Sequence, residues 1–272
     1  MSPITTAAPS APNRRAMPSP NPDAPPVMTA TFPCNRMIFS PALSGNCFQV
    51  MGFSDIHVEN AMANRAMVMV APNGARRGKA DHPRLPVTAS ELAREAALCA
   101  DAGAVAIHTH VRDEAGVHCL DVDRYREAIA AIRAECGGRL KIQITTEAVG
   151  IYSPQEQIAC VKALRPDAAS VALKEIVPDE AHEDRAREFF QWMRGEGVSA
   201  QIILYSAAEV ERFWRLQEKG VTGFAEPFLL FVLGRYASDG QSEPREVDPF
   251  VAALGSHRAN WAVCAFGRRE AA

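Results

Sequence analysis

The chain has 272 residues, 47% of them hydrophobic and 22% charged, with a formal net charge of −3. That length accommodates one large domain or two small ones, and the charge balance leaves no basic footprint for nucleic acid. No apolar run approaches the roughly 20 residues needed to cross a bilayer. The seven cysteines (Cys34, Cys47, Cys99, Cys119, Cys136, Cys160 and Cys264) are odd in number and form no Cys-x-x-Cys pair. They read as reduced thiols of a cytoplasmic enzyme, not as a disulfide framework or a structural zinc site.

Residues 1–33 are rich in Pro, Ala, Ser and Asn. Such a segment buries too little apolar surface to offset chain entropy, and disorder is expected there. Residues 34–65 read as an irregular arm: Arg36-Met37-Ile38-Phe39-Ser40 has strand character, but Ser44-Gly45-Asn46 and Ser54-Asp55 break the pattern. Regularity begins at Ala66. Met67 to Ala71 is predicted as a buried strand closed by the turn residues Pro72-Asn73-Gly74. Thr88-Ala89-Ser90-Glu91 has the capping-box form, and the helix it opens runs to Gly103. Ala104 to Asp113 holds a strand rich in apolar residues that runs into a polar loop.

The pattern then repeats. A helix is expected over about 121–135, a strand over Leu140–Thr145, and a helix opened by Ser153-Pro154 that ends at Leu164. A strand over Ala168–Leu173, a helix over Glu180–Arg194, a strand over Ala200–Tyr205 and a helix over Ala207–Lys219 follow. Val221–Phe224 and Phe228–Leu233 share the next strand position, then come a helix over Val247–Leu254 and a strand over Trp261–Phe266. Strand and helix alternate with short connections, which implies a parallel sheet covered by helices. The repeat of about 30 residues favours a TIM barrel over a doubly wound sheet, and no Gly-x-Gly-x-x-Gly follows the first strand. The count is seven strands where such a barrel needs eight. The reading is therefore α/β, with residues 66–272 forming a TIM (β/α)8-type barrel that lacks its last strand and helices.

In that architecture chemistry sits at the C-terminal ends of the strands. Those ends carry Asn73, His108 with His110, Thr145 with Glu147, Ser170 with Glu175, and Tyr205. Side chains alternate along a strand, so His108 and His110 face one way. Two adjacent imidazoles at the end of a buried strand need a partner: either a divalent metal held through one nitrogen of each, or hydrogen bonds within a core. Glu147 is either a third metal ligand or base, or a loop acid at a helix N-terminus. Asn73 either binds substrate or serves the Pro-Asn-Gly turn. Arg76, Arg77 and Lys79 form a basic cluster that meets the phosphates of a bound molecule or a substrate carboxylate, or is simply solvated. Glu175 beside Lys174 reads as solvent-facing. His82, His118, His182 and His257 lack ligand spacing and read as surface or loop residues, while Trp261 and Phe228 to Leu233 read as core.

Ala71-Pro72-Asn73-Gly74-Ala75, Pro83-Arg84-Leu85-Pro86-Val87-Thr88 and Ala102-Gly103-Ala104 leading into His108-Thr109-His110-Val111-Arg112-Asp113 form an ordered series. Asp123-Arg124-Tyr125, Gln143-Ile144-Thr145-Thr146, Leu164-Arg165-Pro166-Asp167, Phe231-Val232-Leu233-Gly234 and Trp261-Ala262-Val263 continue it. Over about residues 66–268 the series resembles the β-keto acid cleavage enzymes, best known for cleaving 3-keto-5-aminohexanoate. The resemblance implies an oligomeric TIM barrel, a homo-oligomer, with zinc or another divalent metal held by His108, His110 and a later glutamate. It implies acyl transfer between a small β-keto acid and acetyl-CoA, giving acetoacetate and a new acyl-CoA, with the metal as Lewis acid. Thr145 and Ser170 match substrate-binding hydroxyls. The sequence departs from the family at three points: Arg76 stands where the best-known member has an acid, Ile203 where it has a glutamate, and Glu147 where glycines are usual. The glycine-rich last strand that supplies an Arg, the third-ligand Glu and an acidic partner is expected beyond Ala272, the same gap as the strand count. The competing readings are a metal-dependent barrel hydrolase, which wants further His and Asp ligands at later strands, and a non-catalytic remnant without metal.

Overall fold

The computed structural model describes residues 38–39, 67–235 and 241–266, all within the Pro33–Ala272 unit of the chain. The tail expected over 1–33, and the expected arm apart from Ile38 and Phe39, lie outside the described residues. The elements are β1 (Ile38–Phe39), β2 (Met69–Val70), α1 (Ala89–Asp101), β3 (Ala106–Thr109), β4 (Val111–Arg112), β5 (His118–Cys119), α2 (Val122–Cys136), β6 (Lys141–Thr145) and α3 (Pro154–Leu164). They continue with β7 (Ala168–Ala172), α4 (Leu173–Ile176), α5 (Glu183–Gly195), β8 (Ser199–Leu204), α6 (Ala207–Glu218), β9 (Phe228–Leu233), α7 (Asp248–Leu254) and β10 (Asn260–Ala265).

Helix starts are set by local chemistry. Thr88 and Glu91 form both halves of a capping box on α1, and Ser153 and Glu156 do the same on α3 with Pro154 in the first turn. Asp121 caps α2 and Ser206 caps α6, each accepting from a backbone N–H three residues on. Each cap satisfies a donor that has no partner inside the helix.

The main sheet runs β1-β10-β9-β8-β7-β6-β3-β2. The seven strands from β2 to β10 are parallel and lie side by side in chain order. A doubly wound sheet would reverse that order partway, so the sequential order is barrel-like. Alternation then sorts the side chains. Ile107, Ile142, Ile144, Ala169, Val171, Ile202, Leu204, Leu229 and Phe231 face outward into one core with the helices. Met69, Ala106, Phe228, Leu230, Val232, Ala262 and Cys264 form a second, inner cluster. That cluster joins β2 and β3, near one end of the sheet, to β9 and β10, near the other. The sheet therefore curls around its own inner face, as in a partial TIM barrel.

Two elements differ from expectation. Ile38 and Phe39, expected in an irregular arm, pair antiparallel with β10 in the register Ile38↔Val263 and Phe39↔Ala262. Val221–Phe224 is not a strand: Gly220 and Gly223 take φ of 70° and 65°, which an extended chain does not allow. The Gln217 side chain instead holds this turn through Thr222 Oγ1 and the Phe224 N–H, so β9 alone fills the position. Among the described residues no helix is long and apolar enough to cross a membrane.

Candidate functional site

On β3, Ala106 and His108 face inward while Ile107 and Thr109 face outward, as the period of two requires. The β3–β6 register places His108 opposite Gln143, and His108 Nδ1 lies 2.7 Å from Gln143 Oε1. An amide oxygen only accepts, so Nδ1 carries the proton and Nε2 presents a lone pair. That Nε2 lies 3.1 Å from His110 Nε2. His110, one residue past β3, is positioned by Asn73. Asn73 Oδ1 accepts from the His110 N–H at 3.0 Å, and Asn73 Nδ2 donates to His110 O at 2.9 Å and to Pro86 O at 3.1 Å. Both amide protons of Asn73 are thereby committed to main chain. The Pro-Asn-Gly turn exists, and its asparagine locks the second imidazole in place.

A third imidazole joins them. The β4–β5 hairpin pairs Arg112 with His118 and turns at Gly116, whose φ is 77°. It swings His118 inward to 2% exposure, with its ring centroid 5.1 Å from that of His110. His118 Nε2 donates to the Glu147 carbonyl at 3.0 Å. The expectation that His118 is a surface or loop residue fails because a tight hairpin brings it back against the strand it left.

The remaining candidates converge on the same place. Thr145 and Ser170 are direct neighbours across β6 and β7. Thr145 Oγ1 accepts from the Glu147 N–H at 3.0 Å, which leaves its own proton for another acceptor. Ser170 Oγ is buried and has no hydrogen-bond partner among the described residues. Glu147 Oε1 is 2.8 Å from Arg235. Gly234 stands immediately before Arg235: its φ is 75°, and a Cβ there would sit 2.9 Å from Phe266 O and 3.0 Å from Gln241 O. Glu175, expected to face solvent, is half-buried on α4, where its Oε2 accepts from the Ala148 N–H at 3.1 Å. The short helix turns it back toward the strand ends. Asn73, His108, His110, Thr145, Glu147 and Ser170 all line one cavity of about 280 Å³, together with Arg76, Arg77, Glu175 and Arg235. Lys79 of the expected basic cluster instead pairs with Glu91 at 2.6 Å.

Burial sets the charge states. It lowers the imidazole pKa of His108 and His118 and lowers that of His110 furthest, where His108, His118, Arg112 and Arg235 add repulsion. Burial raises the carboxyl pKa of Glu175. Neutral imidazoles are the form that ligates a metal. Two nitrogens bound tetrahedrally to one zinc at 2.0–2.1 Å lie about 3.3 Å apart, close to the observed Nε2 separation of 3.1 Å. His110 Nδ1 is buried without a partner among the described residues, so the ring is free to carry its proton there. The pair therefore fits two positions of a metal site. Among the described residues no group of three His, Cys, Asp or Glu completes one.

Sequence spacing alone leaves out Gln143, His118, Arg235 and Arg112. For Arg235 a signal was available: Gly234 breaks an apolar strand immediately before a cation. Gln143 is identified only by the strand register.

Comparison with known proteins bears on what this cavity does. Residues 65–272 match the family described as beta-keto acid cleavage enzyme. The chain is 28% identical over 214 residues to the 3-keto-5-aminohexanoate cleavage enzyme of Fusobacterium nucleatum subsp. nucleatum, a span covering 77% of this chain and 76% of that protein. It is 27% identical over 213 residues to the enzyme of the same name from Acetoanaerobium sticklandii, covering 76% of each. It is also 27% identical over 163 residues to the 3-oxoadipate:acetyl-CoA acetyltransferase of Cupriavidus necator, covering 58% of this chain and 56% of that one.

Proposed function

The chain belongs to the β-keto acid cleavage enzyme family, and from that premise we propose that it converts a β-keto acid and acetyl-CoA into acetoacetate and a new acyl-CoA. The bond between C2 and C3 of the keto acid breaks, the carboxymethyl fragment joins the acetyl group, and CoA takes the remaining acyl group. Relatives named for 3-keto-5-aminohexanoate cleavage and for 3-oxoadipate:acetyl-CoA acetyl transfer support the reaction class.

The observation that carries the reading is the facing pair of Nε2 atoms at 3.1 Å in a cavity that also holds a hydroxyl without a partner among the described residues, Ser170 Oγ. His108 and His110 would hold a divalent metal, zinc by the nature of the donors. When bound, the metal supplies Lewis-acid polarisation of the keto acid's oxygens. The chain's own groups do the rest. Thr145 and Ser170 donate hydrogen bonds to substrate oxygens and orient C2. Glu147, gripped on one side by Arg235, takes the proton from C2. Asn73 holds His110 and thereby the spacing of the pair.

The test is a direct assay of the full chain supplied with Zn2+, acetyl-CoA and a panel of β-keto acids. Acetoacetate and acyl-CoA are expected to form together, and His108→Ala and His110→Ala are each expected to abolish both metal retention and product. Metal uptake with no CoA-dependent product from any keto acid would overturn the proposal; product formed without CoA would point to a hydrolase instead.

A further inference from the structure

Resting on that reading, we propose that the preferred keto acid carries a second anionic group, a carboxylate at the end remote from the β-keto carboxylate, recognised by Arg76 and Arg77. The cavity's charges are unevenly matched. Arg235 is neutralised by Glu147 at 2.8 Å, and among the described residues Glu175 is the one other acid along the wall, its Oε2 taken up by the Ala148 N–H at 3.1 Å. Against these stand Arg76 and Arg77, neither of which is in an ion pair among the described residues.

The loop that carries them is built. Arg112 is 5% exposed, and its guanidinium donates to Ala75 O at 2.7 Å, to Arg77 O at 2.9 Å and to Gly74 O. Arg76 therefore sits between two carbonyls fixed from beneath. Asn73, the residue before the loop, is fixed in turn through His110 and Pro86. Arg112 has no carboxylate partner among the described residues, and its Nε is buried unpaired. It thus adds a buried positive charge under the same rim. A surplus of planar guanidinium donors at a pinned rim suits a carboxylate, which accepts the paired N–H bonds that a neutral or cationic substituent cannot.

Isothermal titration calorimetry of the full chain with Zn2+ and without acetyl-CoA tests this. The probes are 3-oxoadipate and 3-oxohexanoate, equal in chain length and differing by one carboxylate. The dicarboxylate is expected to bind about tenfold tighter or more, and the Arg76→Gln/Arg77→Gln double variant is expected to bring the ratio of dissociation constants near one. Equal binding of the two acids, or no binding of either, overturns the inference. The phosphates of CoA are the other anions such a rim would meet. If the double variant weakens acetyl-CoA but not acetyl-pantetheine and keeps the dicarboxylate preference, the arginines serve CoA and the inference fails. A dicarboxylate preference in a protein that forms no acetoacetate would sustain the inference while defeating the proposed reaction. Both arginines are exposed, and a melting curve matching the parent protein verifies that the variant is folded.

Discussion

Gln143 decides which nitrogen of His108 faces the cavity. Its Oε1 accepts from Nδ1 at 2.7 Å, so the Nε2 lone pair is the one turned to His110 Nε2, 3.1 Å away. Such outer partners commonly govern metal affinity by one to two orders of magnitude. Gln143→Leu is therefore expected to weaken Zn2+ binding roughly 10–100-fold, read by competition with a chromophoric chelator, while Gln143→Glu, which keeps the acceptor, retains most of the affinity. An unchanged constant for the leucine variant would show that something else sets the tautomer. The same residue marks the limit of sequence reading at this scale. His108 and His110 are legible together because the strand period is two. Gln143 stands 35 positions away from His108 in the chain, and only strand register joins them. Lys174-Glu175 has the composition of an exposed loop, and nothing in that dipeptide announces the short helix that turns the glutamate inward.

Helix starts are the most legible elements because one side chain satisfies one backbone donor within a few residues: Thr88 and Ser153 cap where the sequence places them, and Asp121 and Ser206 do the same for α2 and α6. Short apolar stretches are less legible, since Val221–Phe224 has strand composition but is bent by glycines that its composition undervalues. Gly234 shows the same effect put to use. It ends β9 in the left-handed region, in a space closed by the carbonyls of Phe266 and Gln241. Gly234→Ala is expected to cost about 1–2 kcal/mol from backbone conformation alone, with the carbonyl contacts added to it. It is also expected to displace Arg235 from Glu147. Urea unfolding measures the first effect. For the second, Arg235→Ala should cost clearly less in the Gly234→Ala background than in the parent protein. Additive costs would show that the glycine does not position the ion pair.

Seen as one body, the curled sheet divides its inner face between polar groups on β3, β6, β7 and β8 and an apolar cluster drawn from β2, β3, β9 and β10. Strand order and barrel-type curvature follow from the alternation of elements, which the sequence displays. The antiparallel pairing of β1 does not, because a two-residue strand has no periodicity to read. The polar half carries a cost that pH should expose. His108, His110 and His118 all have imidazole pKa values lowered by burial, so in this region the folded state binds fewer protons than the unfolded chain. Stability contributed by their neutral forms is full above the ordinary imidazole value of about 6.5 and is lost as pH falls through it. Three sites set an upper slope of about 4 kcal/mol per pH unit. Glu175 acts with the opposite sign: its raised pKa favours the folded state at low pH and disfavours it as pH rises through the folded value. Glu175→Gln, which keeps an acceptor for the Ala148 N–H, removes that opposing contribution. In this background, metal-stripped protein is expected to lose stability to urea steeply between pH 7.5 and 5.5. His118→Asn should reduce the slope by about one proton's worth, near 1.4 kcal/mol per pH unit. Equal unfolding free energies at the two pH values would mean that the three rings already carry protons inside the barrel, and the neutral ligand pair would then be lost as a premise.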